Sequence, residues 1–359
     1  MLSPLGGFYS SIGGNPGLIE GSFHTWQEQE ISTVLDSNEL KHFKDIYFLN
    51  RSTKRYGRRR TLRRKTSFLY PQTDSILKKL NRTRNKKGLP PKDKKVVTSF
   101  TSYMISSLID VQKVWPSDDL RLIIQNQLDF LLRQHRNRKG FLFRRSIGGE
   151  VFRPGILDDY AFFIEALIKY YEISFDEKYL NIAYELQKKQ NDLFWDSKQR
   201  VFRLSNSSLL EINQQKVFKD QNLPSGQSVS YENLVRLSLY FTDRLFDQQS
   251  RNLLEAYPDQ ILFDPLSYPH LLLGLDFSLS NPKVVITKGT LEQCRRAVTS
   301  LSQSYNPYTL FACARSKSRI PITQGKGQTK NLSYLICDRT SCSSEIRSLD
   351  EVKKRVFER

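Results

Sequence analysis

In Pro154-Gly155-Ile156-Leu157-Asp158-Asp159-Tyr160-Ala161-Phe162-Phe163-Ile164-Glu165-Ala166-Leu167, a pair of aspartates opens an apolar helix. Ile164, Leu167 and Tyr171 fall on one face of it. Asp176-Glu177 starts a second helix carrying Leu180, Ala183 and Leu186. The connection is short, so the two run antiparallel as a hairpin. Upstream, Phe100, Met104, Leu108 and Val111 recur at helical spacing. Trp115-Pro116-Ser117-Asp118 ends that helix and starts the next, with Ser117 as N-cap. Downstream, Pro224-Ser225-Gly226 leads into a helix through Val229, Leu234 and Leu237. Further helices are expected near 247–260 and 267–279.

A recurrence marks how the pairs join. Gly7-Phe8-Tyr9-Ser10, Gly140-Phe141-Leu142-Phe143-Arg144 and Arg200-Val201-Phe202-Arg203 each follow a turn with aromatic residues in alternation, the pattern of a short β-hairpin. Helix pairs joined by hairpins along one rim predict a toroid. Towards the N-terminus, Ser22–Trp26 reads as strand-like and Gln27–Leu35 as a short helix, and another helix spans about 74–85. After Asn281-Pro282 the pattern changes to strand, helix, strand: Lys283–Thr287, Leu291–Ser302, Tyr308–Ala312, then Leu332–Cys337 and a closing helix Leu349–Phe357. The expected fold is mainly α, an (α/α)6-type toroid, complete or not, over residues 1–280 with a basic linker at about 51–75. A small α/β unit follows over 281–359.

Composition bounds the partners. A chain of 359 residues with 38% apolar content has ample core. No apolar run approaches the roughly 20 residues a membrane helix needs, so no membrane partner is expected. Met1–Gly7 lacks the basic start and apolar centre of a signal peptide, which makes the cytoplasm the expected compartment. The formal charge is +19, concentrated in Arg51–Lys65 and Asn81–Lys87. Such runs attract phosphate backbones or serve as solvated linker. No zinc finger, helix-turn-helix or stacking motif accompanies them, so nucleic acid is not the expected partner. Cys294, Cys313, Cys337 and Cys342 make neither a thioredoxin motif nor a zinc knuckle, and are expected as buried or idle thiols. No cofactor and no metal site is expected.

These residues resemble the C-terminal region of the YyaL-type thioredoxin-domain-containing (spermatogenesis-associated) protein family. The 154–167 stretch matches the pattern G-F-L-D-D-Y-A-F-x-I-x-G-L-L. Leu193-Phe194-Trp195-Asp196 looks like the family's L-F-W-D, and Pro224–Ser228 like its P-S-G-N-S. Leu271–Asp276 is similar to its L-L-L-A-L-D, and Cys337 and Cys342 match its paired cysteines near the end. The resemblance implies a toroid like that of six-hairpin glycosidases and sugar epimerases. It also implies a thioredoxin-like domain that this chain lacks, so a separate thioredoxin-like chain is an expected partner. The departures fall on acidic positions. The family's G-G-F-Y-S-A-E-D-A-D-S-E-G-x-E-G lies over Gly6–Gly21, where Ile12, Gly13, Asn15 and Gly17 replace acids and Glu20 remains. Its D-D-K-x-L-x-S-W-N lies over Asp93–Thr101, with Lys94, Phe100 and Thr101 as changes.

Glycoside chemistry needs two carboxyl groups facing across a cleft. Asp158, Asp159 and Asp220, at predicted helix starts or the loops before them, are the candidate catalytic carboxylates. Glu20, Asp93, Tyr160 and Ser225 are the candidate substrate-binding residues, with a carbohydrate as ligand. The competing role for each aspartate is to cap helix N–H groups; Asp93 would cap the helix beginning near Val96. Ser225 with His270 invites a nucleophile–base reading, but no nucleophile elbow is present. Tyr160, Phe163, Trp195 and Tyr231 suit either a sugar face or a core. The functional expectation is a carbohydrate-related toroid with weakened or lost catalysis. The alternative is a non-enzymatic protein that binds a thioredoxin-like chain, or an acidic partner through residues 51–65.

Overall fold

A computed structural model describes residues 1–13, 21–49, 60–65, 73–206, 218–256 and 258–357. Glu20 and most of the 51–65 basic block lie outside the described residues. The chain divides into two compact units, one of Met1–Ser3 with Tyr9–Lys95 and one of Pro4–Phe8 with Val96–Arg359.

The first unit holds β1 (Tyr9–Ile12), α1 (Glu28–Val34), α2 (Ser37–Ile46), β2 (Tyr47–Leu49), β3 (Leu62–Arg64) and α3 (Thr73–Lys86). Trp26, Ile31, Leu35, Phe43, Ile76 and Leu80 form its core. The expected strand at Ser22–Trp26 is a turn: Trp26 is used as a core anchor, with Lys87 Nζ 4.3 Å from its ring centroid. Asp36 caps α2, accepting from Asn38 N and Glu39 N, while Glu39 returns a bond to the Asp36 N–H. Within the expected linker, β3 pairs with β2.

β4 (Lys92–Val97) contains the boundary. Asp93 therefore lies in a strand and does not cap the helix that follows. Its carboxylate accepts from Lys95 N at 3.1 Å and pairs with Lys95 Nζ at 2.9 Å.

In the second unit three helical hairpins follow one another: α4 (Thr98–Val114) with α5 (Asp118–Phe130), α6 (Leu157–Ser174) with α7 (Glu177–Phe194), and α8 (Gly226–Phe241) with α9 (Arg244–Leu254). The short α10 (Pro258–Phe263) precedes α11 (Pro269–Leu279). α4, α6, α8 and α11 pack side by side in that order, and α5, α7 and α9 back them. This is an open (α/α) arc, the incomplete form of the expected toroid, and the described residues form no closed barrel. α6 is apolar almost all round because neighbours cover it on every side, and Tyr160, Phe162, Phe163, Leu167 and Tyr171 are buried. Two of the three expected hairpins appear, β5 (Phe143–Ile147) with β6 (Glu150–Pro154) and β7 (Trp195–Asp196) with β8 (Val201–Phe202), whereas the Gly7–Ser10 stretch enters β1, whose neighbour is the distant β4.

The C-terminal layer is α/β as expected, with β9 (Lys283–Lys288), α12 (Leu291–Leu301), β10 (Thr309–Ala314), β11 (Ser333–Cys337) and α13 (Leu349–Phe357). β9 is central, parallel to β10 and antiparallel to β11. The expected divide at 280/281 is not where the compact units part. Tyr240 Oη lies 3.0 Å from the Phe311 carbonyl, and Arg295 Nη2 donates to the Ser174 carbonyl at 2.8 Å, tying this layer to α8 and α6. Cys337 and Cys342 are not idle thiols. They face each other as an antiparallel pair with Cα atoms 3.9 Å apart, and form a disulfide. Cys294 and Cys313 are buried free thiols.

Candidate functional site at the helix N-termini of the arc

The candidate catalytic carboxylates were expected at helix starts or in the loops before them, and there they are found. The first turn of a helix presents N–H groups with no partner inside the helix, and these attract carboxylates. Asp159, in the first turn of α6, is fully buried. Its Oδ2 accepts from Ile156 N at 2.9 Å, capping its own helix. Its Oδ1 accepts from Ser99 N at 3.0 Å, in the first turn of α4. Arg144 Nη1 on β5 donates to the same oxygen at 2.9 Å. So α4 receives its cap from another helix, the service expected of Asp93.

Asp158 is turned the other way, towards α8. The Gly226 N–H donates to it, and a Cβ on Gly226 would sit 2.5 Å from Asp158 Oδ1. Only glycine fits at that approach. Asp220 repeats the arrangement one helix further on. Its Oδ1 accepts from Ser225 N at 2.7 Å and Ser228 Oγ at 2.8 Å at the start of α8. Its Oδ2 accepts from His270 N at 2.8 Å in the first turn of α11. Each carboxylate thus binds the N-terminus of an inner helix, and Asp159 and Asp220 each join two.

Burial pushes the Asp159 carboxyl up to about 6, even with Arg144 and the Ile156 and Ser99 N–H groups pulling it down. Burial raises Asp158 as well, against Arg144 and Gly226. Both oxygens of Asp159 and of Asp220 accept hydrogen bonds, and Asp158 accepts one from the Gly226 N–H, whereas two-carboxylate glycoside chemistry requires carboxyl groups facing each other across a cleft.

The candidate binding residues are similarly occupied. Tyr160 Oη accepts from Leu142 N at 2.9 Å, and its ring meets Phe194 edge-on. Phe163 and Tyr231 are buried, and half-buried Trp195 packs edge-on against Phe202. Ser225 is the N-cap of α8. Its Oγ accepts from Ser228 N at 3.1 Å and donates to the Phe218 carbonyl at 3.0 Å. Asp93 belongs to the first unit.

His270 does not serve Ser225. Its Nε2 lies 3.2 Å from Glu232 Oε2 on α8. Burial disfavours charge on Glu232, but Arg236 and His270 outweigh it and hold its carboxyl well below the usual range. Burial likewise works against His270, but Glu232 overcomes it and raises the imidazole. The pair belongs to a network that helix periodicity assembles from polar residues on α4, α6 and α8. Lys169 pairs with Glu165 and Asp110, each at 3.0 Å, and Glu172 pairs with Lys113 at 3.1 Å. Glu165 Oε2 is buried without a hydrogen-bond partner. These charges recur every three or four residues on helices whose other faces are core. That spacing was the available signal, and the aspartate pair drew attention away from it. Among the described residues no group of His, Cys, Asp and Glu is arranged to hold a metal ion, and no helix is long and apolar enough to cross a membrane.

No family model matches the chain. It is similar to spermatogenesis-associated protein 20 of Homo sapiens, 26% identical over 302 residues, which cover 78% of this chain and 38% of that protein. The protein of the same name from Mus musculus is 29% identical over 137 residues, covering 38% of this chain and 17% of that one. Among solved structures, a cellobiose 2-epimerase from Bacillus thermoamylovorans aligns with TM-score 0.37 and 11% identity, over 46% of this chain and 45% of that one. A family 105 glycoside hydrolase from C. acetobutylicum aligns with TM-score 0.38 and 10% identity, over 51% and 57%. The chain spans 38% of the length of the human relative it matches.

Proposed function

We propose that this chain is a binding scaffold on a six-hairpin-glycosidase-like architecture, with hydrolase or epimerase chemistry at Asp158, Asp159 and Asp220 given up. One observation carries this reading: the three carboxylates are held by backbone N–H groups of the inner helices. A carboxylate whose oxygens cap helices is poorly placed to hand a proton to a glycosidic oxygen or to attack an anomeric carbon. A carbohydrate remains the candidate ligand, on the resemblance alone. The test is turnover of a panel of oligosaccharides, read as reducing ends released and as epimers formed. No turnover is expected. Turnover that Asp159→Asn and Asp220→Asn abolish in folded protein would overturn the reading.

A separate thioredoxin-like chain is the proposed protein partner, supported by the family the sequence resembles. Affinity capture of the tagged chain from its native cells, followed by mass spectrometry, tests it. A stoichiometric thioredoxin-like protein is the expected result, and capture of the chain alone would count against it.

A further inference from the structure

The β5–β6 hairpin and the turn before it concentrate cations, of which only Arg144 serves the capping at Asp159. From Arg136 to Arg153 the chain carries Arg136, Arg138, Lys139, Arg144, Arg145 and Arg153 against one acid, Glu150. Among the described residues only Arg144 of these is ion-paired, to Asp159. Arg136 and Arg145 each hold a buried Nε with no hydrogen-bond partner, and so does Arg203 just after β8. A desolvated guanidinium donor without an acceptor is costly. Arg153 adds backbone strain. Its φ is 63°, in the left-handed region that a non-glycine residue rarely adopts, and it stands exposed.

The hairpin also places aromatic rings among these charges. Strand alternation puts Phe143, Arg145 and Ile147 on one face of β5, and the register sets Phe152 directly opposite Arg145. Phe152 is 39% exposed. Phe141, in the preceding turn, is 36% exposed, with Lys189 Nζ 4.7 Å from its ring centroid. Gly155 N donates to the Leu142 carbonyl at 2.7 Å and Leu157 N to the Leu204 carbonyl at 2.9 Å. Those bonds bring both hairpins to the N-terminal end of α6.

We propose that this rim binds single-stranded nucleic acid, with phosphates on the arginines and bases stacked on Phe152 and Phe141. Arginine beside an exposed ring on a flat strand face is the chemistry that reads unpaired bases. On β5 and β6 the face that carries Arg145 and Phe152 has no Asn, Gln, Ser or Thr to hydrogen-bond sugar hydroxyls, its other members being Phe143, Ile147, Glu150 and Pro154. That favours a stacked, phosphate-bearing polymer over an acidic polysaccharide. The formal charge of +19 supplies the long-range attraction.

The experiment is fluorescence anisotropy of the full chain with a labelled oligouridine of about 20 nucleotides, between about 50 and 200 mM salt. Binding that falls steeply with salt is expected. Phe152→Ala should weaken it about tenfold. Arg145→Gln and Arg153→Gln should each lower the logarithmic salt slope by about 0.7. Neutralising Arg58, Arg59 and Arg60 should leave the Phe152 effect in place. Phe152→Trp guards against misfolding of the alanine variant: it should bind, and its indole fluorescence should be quenched by the RNA. The proposal is overturned by no binding at low salt, by an unquenched Phe152→Trp, or by binding indifferent to the hairpin substitutions. It is equally overturned if polygalacturonate displaces the label at lower concentration than unlabelled RNA does.

Discussion

The carboxylates at the inner-helix N-termini and the arginines of the β5–β6 rim lie close in sequence and meet opposite fates. Asp159 is fully buried, and its oxygens accept from Ile156 N, Ser99 N and Arg144. Arg145, fourteen positions earlier, keeps a buried Nε without a partner, and Arg153 stands exposed at a left-handed φ. A charge whose bonding capacity is engaged by backbone is architecture. Arg153, exposed and without an ion pair among the described residues, is a charge available to something outside the chain. The difference also shows why acidic residues at a toroid mouth are weak evidence of catalysis, since helix ends recruit the same residues for packing.

The comparison can be broken most forcefully at Asp159. Asp159→Ala leaves Arg144 without its partner and the Ser99 and Ile156 N–H groups without an acceptor, and should destabilise the second unit by about 3 kcal/mol. Urea unfolding measures it, and an unchanged midpoint would mean the clamp is not structural. The pH dependence sharpens the point. The folded carboxyl is raised by burial to about 6, so between about pH 4 and 6 the folded state binds more protons than the unfolded chain. The contribution of Asp159 to stability therefore falls as pH rises through that window and is constant below it. Wild-type stability minus that of Asp159→Asn should show this slope, and a difference independent of pH would refute it. Asp220→Asn keeps one carbonyl acceptor for the two neighbouring helix starts, and a smaller loss of about 1–2 kcal/mol is expected in the same assay. At the rim, Arg138→Gln and Arg153→Gln should change stability by no more than about 0.5 kcal/mol, and a large loss there would erase the contrast.

Much of the architecture was legible because α6 is a long apolar run and α7 carries a periodic apolar face, with aspartates at both starts. Ser117 was read as an N-cap, and it accepts from Leu120 N. The site was less legible for identifiable reasons. Whether Asp158 and Asp159 are open or engaged depends on what stands opposite, and Ser99 and Gly226 reach them from 60 and 68 positions away in the chain. Asp93 was misread because Lys92–Val97 is a strand in which Lys95 takes up the carboxylate. Tyr160 gave no sign that its hydroxyl would meet Leu142 N. The rim arginines were passed over because contiguous runs such as Arg58-Arg59-Arg60 dominate a charge profile. The rim cations are spread over a turn and two strands, and only folding gathers them. The pairing of Cys337 with Cys342 needed the chain reversal after β11, which the spacing does not announce.

Tyr240 Oη lies 2.9 Å from Glu172 Oε1 and 3.0 Å from the Phe311 carbonyl, and Arg295 holds the last carbonyl of α6. These contacts sit at the end of α6 and α8 opposite the aspartates. β10 and α12 thus fasten the C-terminal ends of α6 and α8, so a disturbance of this layer reaches the same helices whose N-termini the aspartates hold.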